Sequence, residues 1–201
     1  MPQQLNTKFI VVVVAFIVVA VGSVGLFWGY RVMTDPVKNI ERGRELEAAG
    51  NYAEAVRAYG RAVSKRRTNI EYLDLMRNAL LKVVPPTAEE ARQHYQMNLD
   101  LLQQRAAVEP SKLDPWLPLL DAQRDRAHFL QNPAAWRALA DTATRMRESM
   151  PAGSEGERIA LRELGVASVQ RDAQLTDSER REVEAMLRKV LSADSNDERA
   201  W

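Results

Sequence analysis

Cysteine is absent from the 201-residue chain. Disulfides, thiolate nucleophiles and Cys-ligated zinc are thereby excluded. The compartment stays open, because a cysteine-free chain suits either side of a membrane. An excess of one charge is also lacking: 28 Lys plus Arg stand against 27 Asp plus Glu, a formal net charge of +1. Such a balance supplies no whole-protein field to attract nucleic acid or an anionic surface, and no nucleic-acid partner is expected. Arg outnumbers Lys 22 to 6, which fits guanidinium groups on solvated helix faces. Histidine is scarce, with only His94 and His128, on separate predicted helices. Glu90 and His94 are four apart and share a helix face, but no motif supplies further metal ligands and the pair reads as surface chemistry. Glycine-rich phosphate loops, nucleophile elbows and H-E-x-x-H are missing. No catalytic residue, metal site or cofactor is therefore expected, and the chain reads as a non-enzyme.

Apolar residues make up 46% of the chain, but they are unevenly spread. From Phe9 to Tyr30 the sequence runs FIVVVVAFIVVAVGSVGLFWGY without a charge. At about 1.5 Å of rise per residue a helix of this length reaches roughly 33 Å, enough for a hydrocarbon core of about 30 Å. Valine would suit a strand in water, yet a lone strand in lipid leaves its backbone unpaired, so a helix is required. Lys8 precedes the run, and Trp28, Tyr30 and Arg31 close it as interfacial anchors do. The rival is a cleaved signal peptide, whose apolar core spans about 7 to 15 residues. Val21-Gly22-Ser23 is a poor cleavage site and the run continues past it. The expected organisation is a tail at 1–8, a transmembrane helix at 9–31 contacting the lipid bilayer, and a helical region at 36–201.

Gly25 and Gly29 form a G-x-x-x-G spacing that would let two such spans pair, although lipid-facing glycines are the plainer reading. Orientation has arguments on both sides. Arg31, Lys38, Arg42 and Arg44 after the span favour a cytoplasmic C-terminal part. Large domains, however, translocate regardless of flanking charge, and a short basic tail before an apolar run begins a signal-anchor. The expectation leans to an extracytoplasmic domain.

After Pro36 apolar residues recur at helical spacing and no window alternates like a strand. Breaks fall at Gly50-Asn51, Pro85-Pro86, Pro110 through Pro115, Asn132-Pro133, Pro151 through Gly153, and Leu175-Thr176. They predict helices over 37–49, 53–66, 69–83, 87–108, 115–130, 133–149, 155–172 and 176–192. Helices joined by short links pack as antiparallel hairpins, so the fold class is all-α. The strongest basic run, Ser64-Lys65-Arg66-Arg67, ends a helix, where positive charge favours the dipole.

Gly43, Leu46, Gly50, Tyr52, Ala55, Tyr59 and Ala62 stand at spacings that closely resemble a tetratricopeptide (TPR) repeat. Gly43 and Ala55 would allow the two helices to approach, Gly50-Asn51 would turn the chain, and Tyr59 would fill the space beside Ala62. Later units resemble the family more loosely. Ala91 and Tyr95 repeat the spacing of Ala55 and Tyr59; Trp116 with Leu119, and Trp136 with Leu139, echo one another; Leu161, Leu164 and Gly165 match the start of another unit. SNDERAW, ending at Trp201, resembles a repeat that opens, so an N-terminal fragment of a longer array is expected. The resemblance implies an α-solenoid of about four hairpins, whose concave groove is lined by the first helix of each pair and binds a partner protein. That groove would show Val37, Ile40, Arg44 and Glu47, then Glu71, Asp74, Asn78 and Lys82. Ile40 and Arg44 replace the Lys and Asn by which some members clamp a carboxyl terminus.

Three functions compete: a membrane-tethered scaffold recruiting a protein partner, the anchoring or regulatory segment of an enzyme whose catalytic domain lies beyond residue 201, and a structural anchor whose array self-associates. The first is the leading expectation.

Overall fold

A computed structural model describes residues 35–171 and 175–193. The predicted span at 9–31, with Gly25 and Gly29, lies outside the described residues, as does Trp201. Among the described residues no helix is long and apolar enough to cross a membrane. They form eight helices and no strand: α1 (Pro36–Ala48), α2 (Tyr52–Lys65), α3 (Ile70–Leu80), α4 (Ala88–Val108), α5 (Trp116–Leu130), α6 (Pro133–Ser149), α7 (Glu155–Arg171) and α8 (Asp177–Ala193).

Local chemistry explains each boundary. Asp35 caps α1 by accepting from the Val37 amide at 2.9 Å, with Pro36 in the first turn where its missing N–H costs nothing. The same helix ends on Gly50, at φ +77°, where the Gly50 and Asn51 amides donate to the Glu47 and Leu46 carbonyls at 3.0 and 2.8 Å. That double closure needs a left-handed residue, which glycine supplies without a Cβ penalty. Asn69 and Asn132 cap α3 and α6 through the amides of Tyr72 and Ala135. Thr87, Ser154 and Thr176 accept from the amides of Glu90, Glu157 and Glu179. The Glu179 carboxylate also accepts from the Thr176 amide at 2.9 Å, completing a reciprocal box at the start of α8. Helix α3 stops at Leu80, earlier than the predicted 83, because the chain tightens into turns in which Lys82 and Val83 donate to Ala79 and Leu80.

The described residues form two compact units that divide between Val83 and Val84, just before Pro85-Pro86. In the first, α1 packs on α2 and α2 on α3. Its core holds Ile40, Ala55, Val56, Ala58, Tyr59, Ala62 and Val63, with Tyr72, Leu73, Ala79 and Leu80 from α3. In the second unit, each helix from α4 to α8 packs on the next. Leu99, Leu102, Trp116, Leu119, Trp136, Leu139 and Met146 centre its main core, so both W-x-x-L pairs face inward. The Trp116 indole donates to the Pro110 carbonyl at 2.9 Å, pinning the α4–α5 connection. Leu161 and Val190 join α7 to α8 in a smaller cluster.

Candidate functional site

In the first hairpin the tightest approach is at Gly43. A Cβ built there would lie 2.3 to 2.8 Å from three atoms of the Tyr59 ring. The space over Gly43 is taken by this aromatic ring, while Ala55 and Ala62 are fully buried on α2. The Tyr59 ring is wholly buried, and its hydroxyl reaches Glu47 of α1, donating to Oε2 at 2.9 Å. Tyr52 and Leu46 are only half-buried.

Glu47 is the hub of a polar network on this unit. Its Oε1 accepts from the Lys82 ammonium at 2.8 Å, and that ammonium lies 5.5 Å from the centre of the Tyr52 ring. Arg44, one turn earlier on α1, donates to Glu71 of α3 at 2.7 Å. Two turns earlier on α1, Arg61 of α2 donates to the buried Asn39 at 3.0 Å. The groove residues expected from the sequence are thus brought together in pairs: Arg44 with Glu71, Glu47 with Lys82. Asp74 and Asn78 are exposed on α3. Val37 is exposed at the start of α1, whereas Ile40 is buried and belongs to the core. Lys82 lies past the end of α3, in the turn that follows it.

This network sets the titration of its members. The Lys82 hydrogen bond, above all, holds the Glu47 carboxyl below its usual range, and the Tyr59 hydroxyl acts in the same sense. Burial foremost, and the neighbouring Glu47 carboxylate, push the Tyr59 phenol up to about 12. A folded pKa above the unfolded value of about 10 stabilises the fold below pH 10, and that contribution is lost as pH rises through 12. Alkaline titration at 295 nm should therefore show a late phenolate step near pH 12 that coincides with loosening of the first unit. Tyr59→Phe should remove that step. A full complement of phenolates by pH 11 with the helix content intact would contradict this environment.

A second cluster, in the second unit, escaped the sequence reading. Glu163 of α7 is 1% exposed, a carboxylate buried on a helix that otherwise presents Leu161 and Ala167 inward. Arg124 of α5 donates from Nε to Oε2 at 2.9 Å and pairs with Oε1 at 2.8 Å, a bidentate fork. Arg162 adds bonds to Oε1 at 3.2 and 3.1 Å, and Asp121 accepts from Arg124 at 2.9 Å. A charged residue inside the apolar stripe of α7 was the available signal; its partner lies 39 residues away.

Of the histidines, His128 stacks edge-on against Trp136 with ring centres 5.0 Å apart. Among the described residues no group of three or more His, Asp or Glu side chains is placed to hold a metal ion.

No family model and no curated protein matches the chain. Solved structures do align with it. Two crystal structures of the MamA protein each cover 81% of this chain at 14% identity; the match spans 74% and 80% of their own chains, with TM-scores of 0.44 and 0.45. YrrB, described as a TPR protein with an unusual peptide-binding site, covers 83% of this chain and 90% of its own, at 11% identity and a TM-score of 0.31.

Proposed function

We propose that this protein is a membrane-tethered TPR-like scaffold, held to the bilayer by the run at 9–31 with its helical region at 36–201 on the extracytoplasmic side. Its partner is a protein segment that lies across the exposed polar surface shared by α1 and α3. The supporting observation is two ion pairs that reach from α1 to α3 and to the turn after it, Arg44 with Glu71 and Glu47 with Lys82. Exposed pairs of this kind contribute little to stability, about 0 to 1 kcal/mol. Their effect here is to hold charged groups of both signs in fixed positions beside Asp74 and Asn78. A partner segment carrying both signs meets a preorganised surface and loses less side-chain entropy on docking. Charge reversal tests this reading on the full chain. Arg44→Glu with Lys82→Glu should reduce a partner captured from solubilised membranes by about tenfold or more, measured by quantitative mass spectrometry. Helix content and melting should change little. Retention of every captured protein by the doubly reversed variant would refute the surface.

A further inference from the structure

We infer that the end of the first unit beside Pro36 is a docking surface for anionic phospholipid headgroups, met by Lys38, Lys65, Arg66 and Arg67. The inference rests on the reading of 9–31 as a membrane tether. With that run in the bilayer, the five steps from Arg31 to Pro36 cover at most about 17 Å, so the start of α1 stays close to the headgroups. The hairpin brings a second set of charges to the same level. Tyr59 of α2 bonds to Glu47 of α1, and Arg61 bonds to Asn39 at 3.0 Å, so α2 runs back toward the start of α1. Lys65 is four residues past Arg61, and Asp35 is four residues before Asn39, which sets the two level. Arg66 and Arg67 follow in the turn to α3. All four cations are exposed, and none has an ion-pair partner among the described residues. The acidic groups near them are largely engaged. Asp35 caps α1, Glu45 holds Arg42 and Glu71 holds Arg44, which leaves Glu41.

Charge selects the occupant. At the opposite end of the hairpin the charges neutralise one another, Glu47 with Lys82 and Glu54 with Arg57. The positive excess of this unit is therefore confined to the end beside residue 36, although the whole chain carries only +1. The helix dipole accounts for Lys65 and Arg66, at the C-terminus of α2. It does not account for Arg67, two residues before the Asn69 cap of α3. Nor does it account for Lys38, in the first turn of α1, where positive charge is disfavoured and no acidic side chain stands. A lipid surface is the polyanion that the chain length holds within reach, and each Lys or Arg brought to such a surface strengthens docking about fivefold. Once docked, the first unit stands on the bilayer with Glu47 and Lys82 at the end away from it. The surface shared by α1 and α3 then stays open to its partner.

The full chain, incorporated from detergent into phosphatidylcholine vesicles with or without phosphatidylglycerol as a third of the lipid, tests this docking. Because the sequence has no cysteine, Thr68→Cys places a single fluorophore in the basic turn and Asn51→Cys places one at the opposite end. Quenching by a nitroxide carried on the lipid headgroup reads the approach of each probe to the bilayer. The Thr68 probe is expected to be quenched in the anionic vesicles and released by raised salt, while the Asn51 probe stays unquenched in both. The triple reversal K65E/R66E/R67E should lower the ratio of docked to free ends by about a hundredfold or more. Lys38→Glu, a change that the dipole of α1 favours, should lower it by about fivefold or more with helix content intact. That variant decides the matter even where the triple reversal damages α2. Equal quenching at Thr68 in neutral and anionic vesicles, or indifference to Lys38→Glu, would overturn the inference and leave the tether standing. So would a Thr68 probe that ignores anionic vesicles but responds to a single-stranded oligonucleotide, which would assign the turn to nucleic acid. A chain left behind in the supernatant of both vesicles would refute the tether, and the inference with it.

Discussion

Arg124→Leu should destabilise the second unit by about 3 kcal/mol, whereas Glu163→Leu should cost about 1 kcal/mol or less. The asymmetry follows from where each partner is left. Without Arg124, the Glu163 carboxylate stays at 1% exposure, loses its bidentate fork, and keeps Arg162 at Oε1. A buried ion that loses its principal partner incurs most of its desolvation penalty uncompensated. Without Glu163, the Arg124 side chain is 15% exposed and retains Asp121, so its charge still reaches water and an acceptor. Replacing both by leucine removes the ions and their desolvation together. The double variant should therefore be close to wild type or above it, which makes the pair strongly non-additive. Urea unfolding followed by the fluorescence of buried Trp116 and Trp136 reports on this unit directly. Equal losses from the two single variants, adding up in the double, would show that Glu163 is solvated in solution.

The contrast between the two clusters shows where sequence reading runs out. Chain breaks were legible because each has a local cause. Pro133 forces a first turn, Gly50 permits positive φ, and the helix ends fall within three residues of their predicted places. Helix starts were more legible than the reading made them: Thr87, Ser154 and Thr176 each stand three residues before a Glu whose amide they accept, a pattern visible in the sequence alone. Tertiary pairing was not. The repeat spacing drew attention to Gly43, Ala55 and Tyr59, placing the ring beside Ala62 without showing that it covers the glycine. Arg44 and Glu47 were placed on the correct helix, yet nothing local specified Glu71 and Lys82 as their partners, which lie 27 and 35 positions further along the chain. Phe129 was not singled out by any sequence pattern, and only the structure shows it 86% exposed at the end of α5.

The two helical glycines of the first hairpin, Gly43 and Gly60, should respond to alanine with opposite signs. In a helix, Gly→Ala ordinarily stabilises by about 0.5 to 1 kcal/mol, because alanine has less backbone freedom to lose. Gly60, on α2, obeys that rule: a Cβ there would meet the thioether end of Met76 at 3.5 and 3.8 Å, an ordinary contact with a flexible side chain. At Gly43, on α1, an added Cβ would come as close as 2.3 Å to the Tyr59 ring. That ring cannot swing aside, since it is wholly buried and its hydroxyl is bonded to Glu47. The helices must separate instead, and overpacking of this kind costs about 1 to 3 kcal/mol. Gly43→Ala should therefore lower the melting temperature of the first unit, and Gly60→Ala should raise it. Tyr59→Leu in the Gly43→Ala background should return part of the loss, because the shorter side chain leaves the space over residue 43 open. Circular dichroism melts of the three variants beside the wild type separate backbone propensity from crowding within one hairpin. If Gly43→Ala stabilises as Gly60→Ala does, the ring does not sit over the glycine, and the register of α1 on α2 is different from the one described.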